Sequence, residues 1–317
     1  MATLPNFTYP QTEPFNFLGL DEQNYQKATV AILPVPYDST TYWKSGTKDG
    51  PRAIIEASRH LELWDDELKQ DISKVGIYTL PELAISKNSP KETLDIIEKV
   101  VSKILKNQKF PFMFGGEHSI TFGAVWAASK KIKNLSVLHL DAHTDLRLTF
   151  EGTKYHHACY MRRIVEDLKL SATHVGIRSM SEEEVQFLKT SQKNHVFYAP
   201  DMPIDQIIET LSPTVYITID LDALDTSIMP AVGTPEPGGM GWYEMLELLK
   251  AVTQKRTIIG ADIVELDPIP GMNAPDFLAA KLAYKLIGYA HRAYLGIKIN
   301  ALPVEVIRIP NPNHAMP

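Results

Sequence analysis

Where an apolar run ends, residues 138–147 read L-H-L-D-A-H-T-D-L-R, placing Asp141, His143 and Asp145 at every second position. Carboxylate and imidazole together are donors for divalent cations, so this run is a candidate metal site, its plainer alternative being a solvated loop. Two further carboxylates, Asp220 and Asp222 in I-D-L-D-A-L-D, point the same way if a strand continues through them. Carboxylates that close repel each other unless a cation or a proton separates them. The stretch G-G-E-H-S supplies His118 after a glycine pair, Gly115 and Gly116, that lets the chain turn sharply. Glu265 follows another apolar run, in A-D-I-V-E-L-D.

Two His and four Asp are too many for one tetrahedral zinc and lack its favoured thiolates. An oxygen-rich set with some imidazole suits Mn²⁺ or a similar ion, and bridging carboxylates could hold a pair. Two divalent ions ~3.5–4 Å apart bring the pKa of a shared water towards neutrality, so the chemistry indicated is metal-assisted hydrolysis.

Such a site exists only if the fold collects it. Short β-branched runs at 29–33, 110–114, 135–140, 173–177, 195–198, 214–219 and 257–264 predict strands, mostly apolar throughout, as when both faces are covered. Helical patterns lie between them at 90–105, 120–130, 160–168, 182–189, 242–253 and 275–294. In the first, Leu94, Ile97, Val101 and Ile104 form one apolar stripe, with Ser89 as N-cap, Pro90 in the first turn and Glu92 closing a capping box. Alternation of this kind predicts an α/β fold: one domain, three layers α-β-α, with a mostly parallel central sheet. In such sheets ligands bind beyond the carboxyl ends of the strands. His118, then Asp141, His143 and Asp145, then Asp220 and Asp222, then Glu265 each follow the end of a predicted strand. The whole set is therefore expected on one edge of the sheet.

The chain divides into an arm at 1–28, a catalytic domain at 29–300 and a tail at 301–317. With 32 basic and 38 acidic residues among 317, and no basic tract, it lacks the electrostatic footprint of a nucleic-acid binder. No apolar run nears the ~20 residues of a membrane span, and the first residues do not read as a secretory signal. The lone cysteine, Cys159, has no partner within the chain for a disulfide and reads as a small buried apolar residue. The expectation is a cytoplasmic enzyme with a small-molecule substrate, no nucleic acid and no membrane.

At these residues the chain resembles the ureohydrolase family of arginases and agmatinases. The resemblance runs from Pro34 to Ala283 and is carried, in order, by P-V-P-Y-D-S-T, G-T-K-D-G-P-R-A-I, G-G-E-H-S-I-T, D-A-H-T-D-L-R, I-D-L-D-A-L-D and G-T-P-E-P-G-G. It implies an arginase-like fold and two Mn²⁺ per subunit. His118 and Asp145 would hold one ion and His143 the other, with Asp141, Asp220 and Asp222 shared or bridging. It further implies that Glu265 grips the substrate guanidinium, a pairing that suits a carboxylate, and that the Thr234 hydroxyl lies near that pocket. Of the adjacent His156 and His157, the family pattern favours His157, before Ala158, as the proton shuttle. The catalytic set so implied is His157, Asp145 and Glu265. His139, inside its strand, reads instead as a core histidine. Family members are usually trimers or hexamers, so a homo-oligomer is implied too.

The substrate is narrowed by Arg147. Arginases place asparagine and serine groups after D-A-H-T-D to hold an α-amino acid, whereas this chain has Arg147 and a different loop. Its layout looks like that of agmatinases, which implies agmatine hydrolysis to putrescine and urea. The same arginine would suit an acid-tailed substrate. Guanidinobutyrate and formimidoylglutamate are therefore alternatives, with arginine behind them. A metallophosphoesterase would want a G-N-H-E segment, and none is present.

Overall fold

Alternate residues of the central strands feed two separate cores, as a sheet with helices on both faces requires. In β1 (Val30–Val35), Val30 and Ile32 join one apolar cluster, while Ala31, Leu33 and Val35 join the other. The structure, a computed structural model, describes residues 12–292. The start of the predicted arm, the whole predicted tail and the predicted end of the last helix lie outside that range.

The chain runs β1, α1 (Gly50–Ser58), β2 (Trp64–Asp65), β3 (Gln70–Asp71), β4 (Ile77–Thr79), α2 (Pro90–Lys106), β5 (Phe110–Gly115), α3 (Thr121–Ser129), β6 (Leu135–Leu140), α4 (Tyr160–Glu166) and β7 (Ser171–Ile177). It continues through α5 (Glu182–Thr190), β8 (Asn194–Tyr198), α6 (Ile204–Thr210), β9 (Thr214–Asp220), α7 (Trp242–Lys255), β10 (Thr257–Val264) and α8 (Ala274–Ala290). Eight strands form one sheet in the order β4-β1-β5-β10-β9-β6-β7-β8, and every pairing in it is parallel. The small ribbon β2–β3 is antiparallel. Helices α1, α6, α7 and α8 cover one face and α2, α3 and α4 the other, so the fold is a single α/β domain of three layers.

Strand order decides where the site forms. The first half lays down β4-β1-β5, the chain then crosses to build β6-β7-β8, and β9 and β10 return last to fill the gap. The four strands whose ends carry the candidate residues, β5, β10, β9 and β6, become consecutive neighbours at the sheet centre. Such a reversal of order is where α/β sheets open a crevice.

Local expectations hold with exceptions of physical origin. Ser89 caps α2 by accepting from Glu92 N, but no capping box closes there, because Glu92 Oε2 is taken by Ser86 Oγ at 2.6 Å and Asn88 Nδ2 at 3.0 Å. The box occurs at α5 instead, between Ser181 and Glu184. Elements of two or three residues, such as β2, β3 and β4, carry too short a pattern to be read beforehand. Ahead of β1, Phe17 and Leu18 are buried in the core on the α1 side, and Leu18 N donates to Ser58 Oγ at 2.8 Å.

Candidate metal centre and active-site cavity

The strand ends deliver their groups through tight backbone geometry. After β5, a Cβ on Gly116 would lie 2.0 Å from Tyr37 O, so only glycine lets the chain pass the loop after β1 and turn His118 inward. Asp145 and Glu265 have φ of 51° and 66°, in the left-handed region. For a glutamate that conformation is strained, and strain of this kind persists only where surrounding structure enforces it. Both side chains face the same cavity.

Two groups of donors form, sharing Asp141. Ligand atoms of His118, His139, Asp141 and Asp145 lie within 4.8 Å of one another, as do those of Asp141, His143 and Asp222. His118 Nδ1 is 3.1 Å from Asp141 Oδ2, 3.2 Å from Asp220 Oδ2 and 3.8 Å from Asp145 Oδ2. His143 Nδ1 is 2.9 Å from Asp222 Oδ2 and 3.5 Å from Asp141 Oδ1. The structure thus brings together all six candidate ligands. His139 sits beside them, but its Nε2 faces Asp141 Oδ2 at 2.7 Å and its Nδ1 faces His174 Nδ1 at 2.8 Å, so it braces Asp141 from within the sheet.

The electrostatics fit a bound cation pair. Burial, reinforced by Asp141, pushes the Asp145 carboxyl well above its ordinary range, and burial with Asp222 and Asp141 does the same to Asp220. Asp141 goes the other way: burial would raise it, but His139, His118 and His143 more than offset that. Carboxylates crowded so closely need divalent charge to ionise together. The donor set, carboxylate oxygens with an imidazole in each group, is one that Mn²⁺-type ions accept.

Further hydrogen bonds orient the candidate ligands. His118 turns Nε2 to Thr218 Oγ1 and Tyr160 OH, each at 2.7 Å, leaving Nδ1 towards the carboxylates. Thr218 donates onward to Asp262 Oδ1 at 2.5 Å. Such partners set the tautomer of a ligating imidazole. Glu117, fully buried, accepts from Thr40 N, Thr40 Oγ1 and Ser119 Oγ at 2.5 Å each. Arg178, just past β7, donates to the carbonyls of Pro237, Gly176, Asp222 and Glu236, joining the Asp222 turn to the cavity wall. None of these stands out in the sequence by spacing or motif, except that Asp262, a carboxylate inside the apolar run G-A-D-I-V-E, needs a partner once buried.

The cavity has a volume of about 460 Å³ and is lined by His143, Asp145, His157, Asp220 and Glu265, with Thr234 and Arg147 also on its wall. Glu265 Oε1 accepts from His118 N at 2.6 Å, and burial raises its carboxyl to about 8. The two candidate shuttles separate. His156 is buried and its Nδ1 accepts from Ala158 N, whereas His157 lines the cavity. Burial and the neighbouring His156 hold His157 down to about 3, so it rests neutral. The Arg147 guanidinium lies 4.7 Å from the centre of the Phe150 ring. Cys159 is buried, and burial lifts its thiol to about 12, unlike a nucleophile.

The chain is also similar to known proteins. The model of the arginase family matches residues 28–288. An N(1)-aminopropylagmatine ureohydrolase of Synechocystis is 39% identical over 279 residues, 84% of this chain and 90% of the relative. An agmatinase of Pyrococcus horikoshii is 34% identical, covering 87% of this chain and 96% of its own. The crystal structure of agmatine ureohydrolase from Thermoplasma volcanium superposes with a TM-score of 0.81 at 33% identity, covering 89% of this chain and 96% of that one.

Proposed function

The chain belongs to the arginase family and is a ureohydrolase, and from that premise we propose that its substrate is a guanidinoalkylamine. Agmatine, cleaved to putrescine and urea, is the simplest. N1-aminopropylagmatine, cleaved to spermidine and urea, is the same chemistry on a longer tail, and relatives acting on each resemble this chain. The observation that carries the reading is the presence of Glu265 in one cavity with His143, Asp145, Asp220 and His157.

In this reading His118 and Asp145 would hold one Mn²⁺ and His143 the second, with Asp141, Asp220 and Asp222 completing the donor set. When bound, such a pair would supply the positive charge that lets water at the site ionise near neutral pH. Glu265 pairs with the planar guanidinium and fixes its carbon for in-line approach. Water oxygen bonds to that carbon, the bond to the alkyl nitrogen breaks, and urea leaves with the water oxygen. A neutral His157 is the form that can take the proton released by water and return it to the departing amine. Thr234 lines the path of the tail.

A second reading, a guanidino or formimino acid, has one observation in its favour, the guanidinium of Arg147 on the cavity wall. A panel of agmatine, N1-aminopropylagmatine, guanidinobutyrate, formimidoylglutamate and arginine, assayed with Mn²⁺ for urea, formamide and amine, separates the two. Urea from the two amines and little from the acids is expected. Preferential turnover of an acid would overturn the proposal.

A further inference from the structure

The proposed reaction uses the floor of the cavity and leaves its lip without a task. Tyr42 and Trp43 line the cavity, yet they are 64% and 62% exposed. Phe150 lies beside them, its ring centre 5.4 Å from that of Tyr42 and edge-on to it. Adjacent large aromatics held in water are uncommon outside recognition surfaces.

The segment that carries them is anchored. Thr40 is bound twice to Glu117, and its Oγ1 accepts from His157 N at 3.1 Å. Further along, Asp38 accepts from Gly46 N at 2.9 Å and Lys48 Nζ at 3.1 Å, closing the loop on itself. The ring faces already meet cations: Lys44 Nζ lies 4.5 Å from the centre of Trp43, and the Arg147 guanidinium lies over Phe150. Lys44 is exposed and can yield its place to an incoming ammonium. Glu236 lines the same cavity, on the stretch that Arg178 clamps.

We propose that Tyr42 and Trp43, with Glu236, form a subsite for a second ammonium on the substrate tail, with Phe150, its own face under Arg147, bracing Tyr42 edge-on. The preferred substrate is then an alkylguanidine extended by a further amine rather than one ending at its first. This rests on the guanidinoalkylamine reading. With the guanidinium held at Glu265, agmatine ends on the way to the lip, and an aminopropyl arm carries a second positive charge out to the aromatic faces.

The test compares kcat/KM for N1-aminopropylagmatine and agmatine in the wild type, in Tyr42→Ala/Trp43→Ala and in Tyr42→Phe/Trp43→Phe. The alanine pair should lower the ratio about tenfold, mainly through KM, as expected when stacked cations lose their rings, and the phenylalanine pair should keep it. An unchanged ratio, an equal loss on both substrates, or a changed oligomeric mass in the alanine pair would overturn the subsite. Spermidine titrated against intrinsic fluorescence probes the lip without turnover. A saturable quench in the wild type that is absent in Trp43→Phe supports the subsite, and identical titrations refute it. Failure of the wild type to cleave either amine defeats the guanidinoalkylamine reading alone, and the spermidine titration still decides the lip.

Discussion

Asp141 is the residue on which both donor groups depend, because one carboxylate belongs to each. Its oxygens are also held by His143 N at 2.5 Å and by His139, so its orientation is set before any ion arrives. Replacing Asp141 or Asp222 by Asn keeps the shape and removes the charge. Either variant is expected to lose turnover and to bind fewer ions per chain, measured by titration calorimetry with Mn²⁺. Full stoichiometry in both would refute the ligand assignment. Arg178 acts at one remove, since it touches only carbonyls. Arg178→Ala should raise KM about tenfold, the order expected for losing several charge-assisted hydrogen bonds to one wall. A Lys at 178 has one ammonium for four carbonyls and should recover little. A variant that is merely less heat-stable, with KM unmoved, would make Arg178 a general scaffold residue.

Among the elements, the ribbon β2–β3 is fastened to α8 by an ionic knot in which Asp65 and Lys285 are buried and Glu67 stands at the surface. Lys285 Nζ lies 2.9 Å from Asp65 Oδ2 and 3.1 Å from Glu67 Oε2, and Glu67 also accepts from Lys250 at 2.6 Å and Tyr289 at 2.6 Å. Burial alone would raise the Glu67 carboxyl, yet the hydrogen bonds from Lys250, Tyr289 and Lys285 prevail and hold it at about 2. A carboxyl so depressed stabilises fully above its ordinary value, and the contribution fades as pH falls from about 4.5 towards about 2. Glu67→Gln should therefore lower Tm at pH 7, with the gap to wild type narrowing as pH falls through that window. A gap independent of pH would show that the knot stabilises through packing alone. Legibility at this scale followed length. The stripe of α2 is plain in the sequence, whereas the two-residue strands of the ribbon are too short to carry a pattern.

Across the whole molecule, the donor set is a product of strand order, with β9 and β10 inserted between β5 and β6. That brings residues as far apart in the chain as His118 and Asp220 within 3.2 Å, and it concentrates buried negative charge at the sheet centre. Cations bound there stabilise the folded state and not the unfolded chain. Loading with Mn²⁺ should raise Tm by several degrees in a concentration-dependent way, about what the linkage of a tightly bound ion implies. Chelation should reverse it. A Tm indifferent to both would mean that the cluster takes no ion in the native protein. No helix among the described residues is long and apolar enough to cross a membrane.

From the sequence alone, the chemistry of each donor, its place after an apolar strand and the alternation that demands a layered sheet could be read, because period and residue type are local properties. Only the tertiary structure decided that β5, β10, β9 and β6 stand side by side, that His157 rather than His156 reaches the cavity, and that Asp262, Glu117 and Arg178 support the site. These depend on contacts between residues far apart in the chain, and no local pattern records which distant partner a buried charge will find.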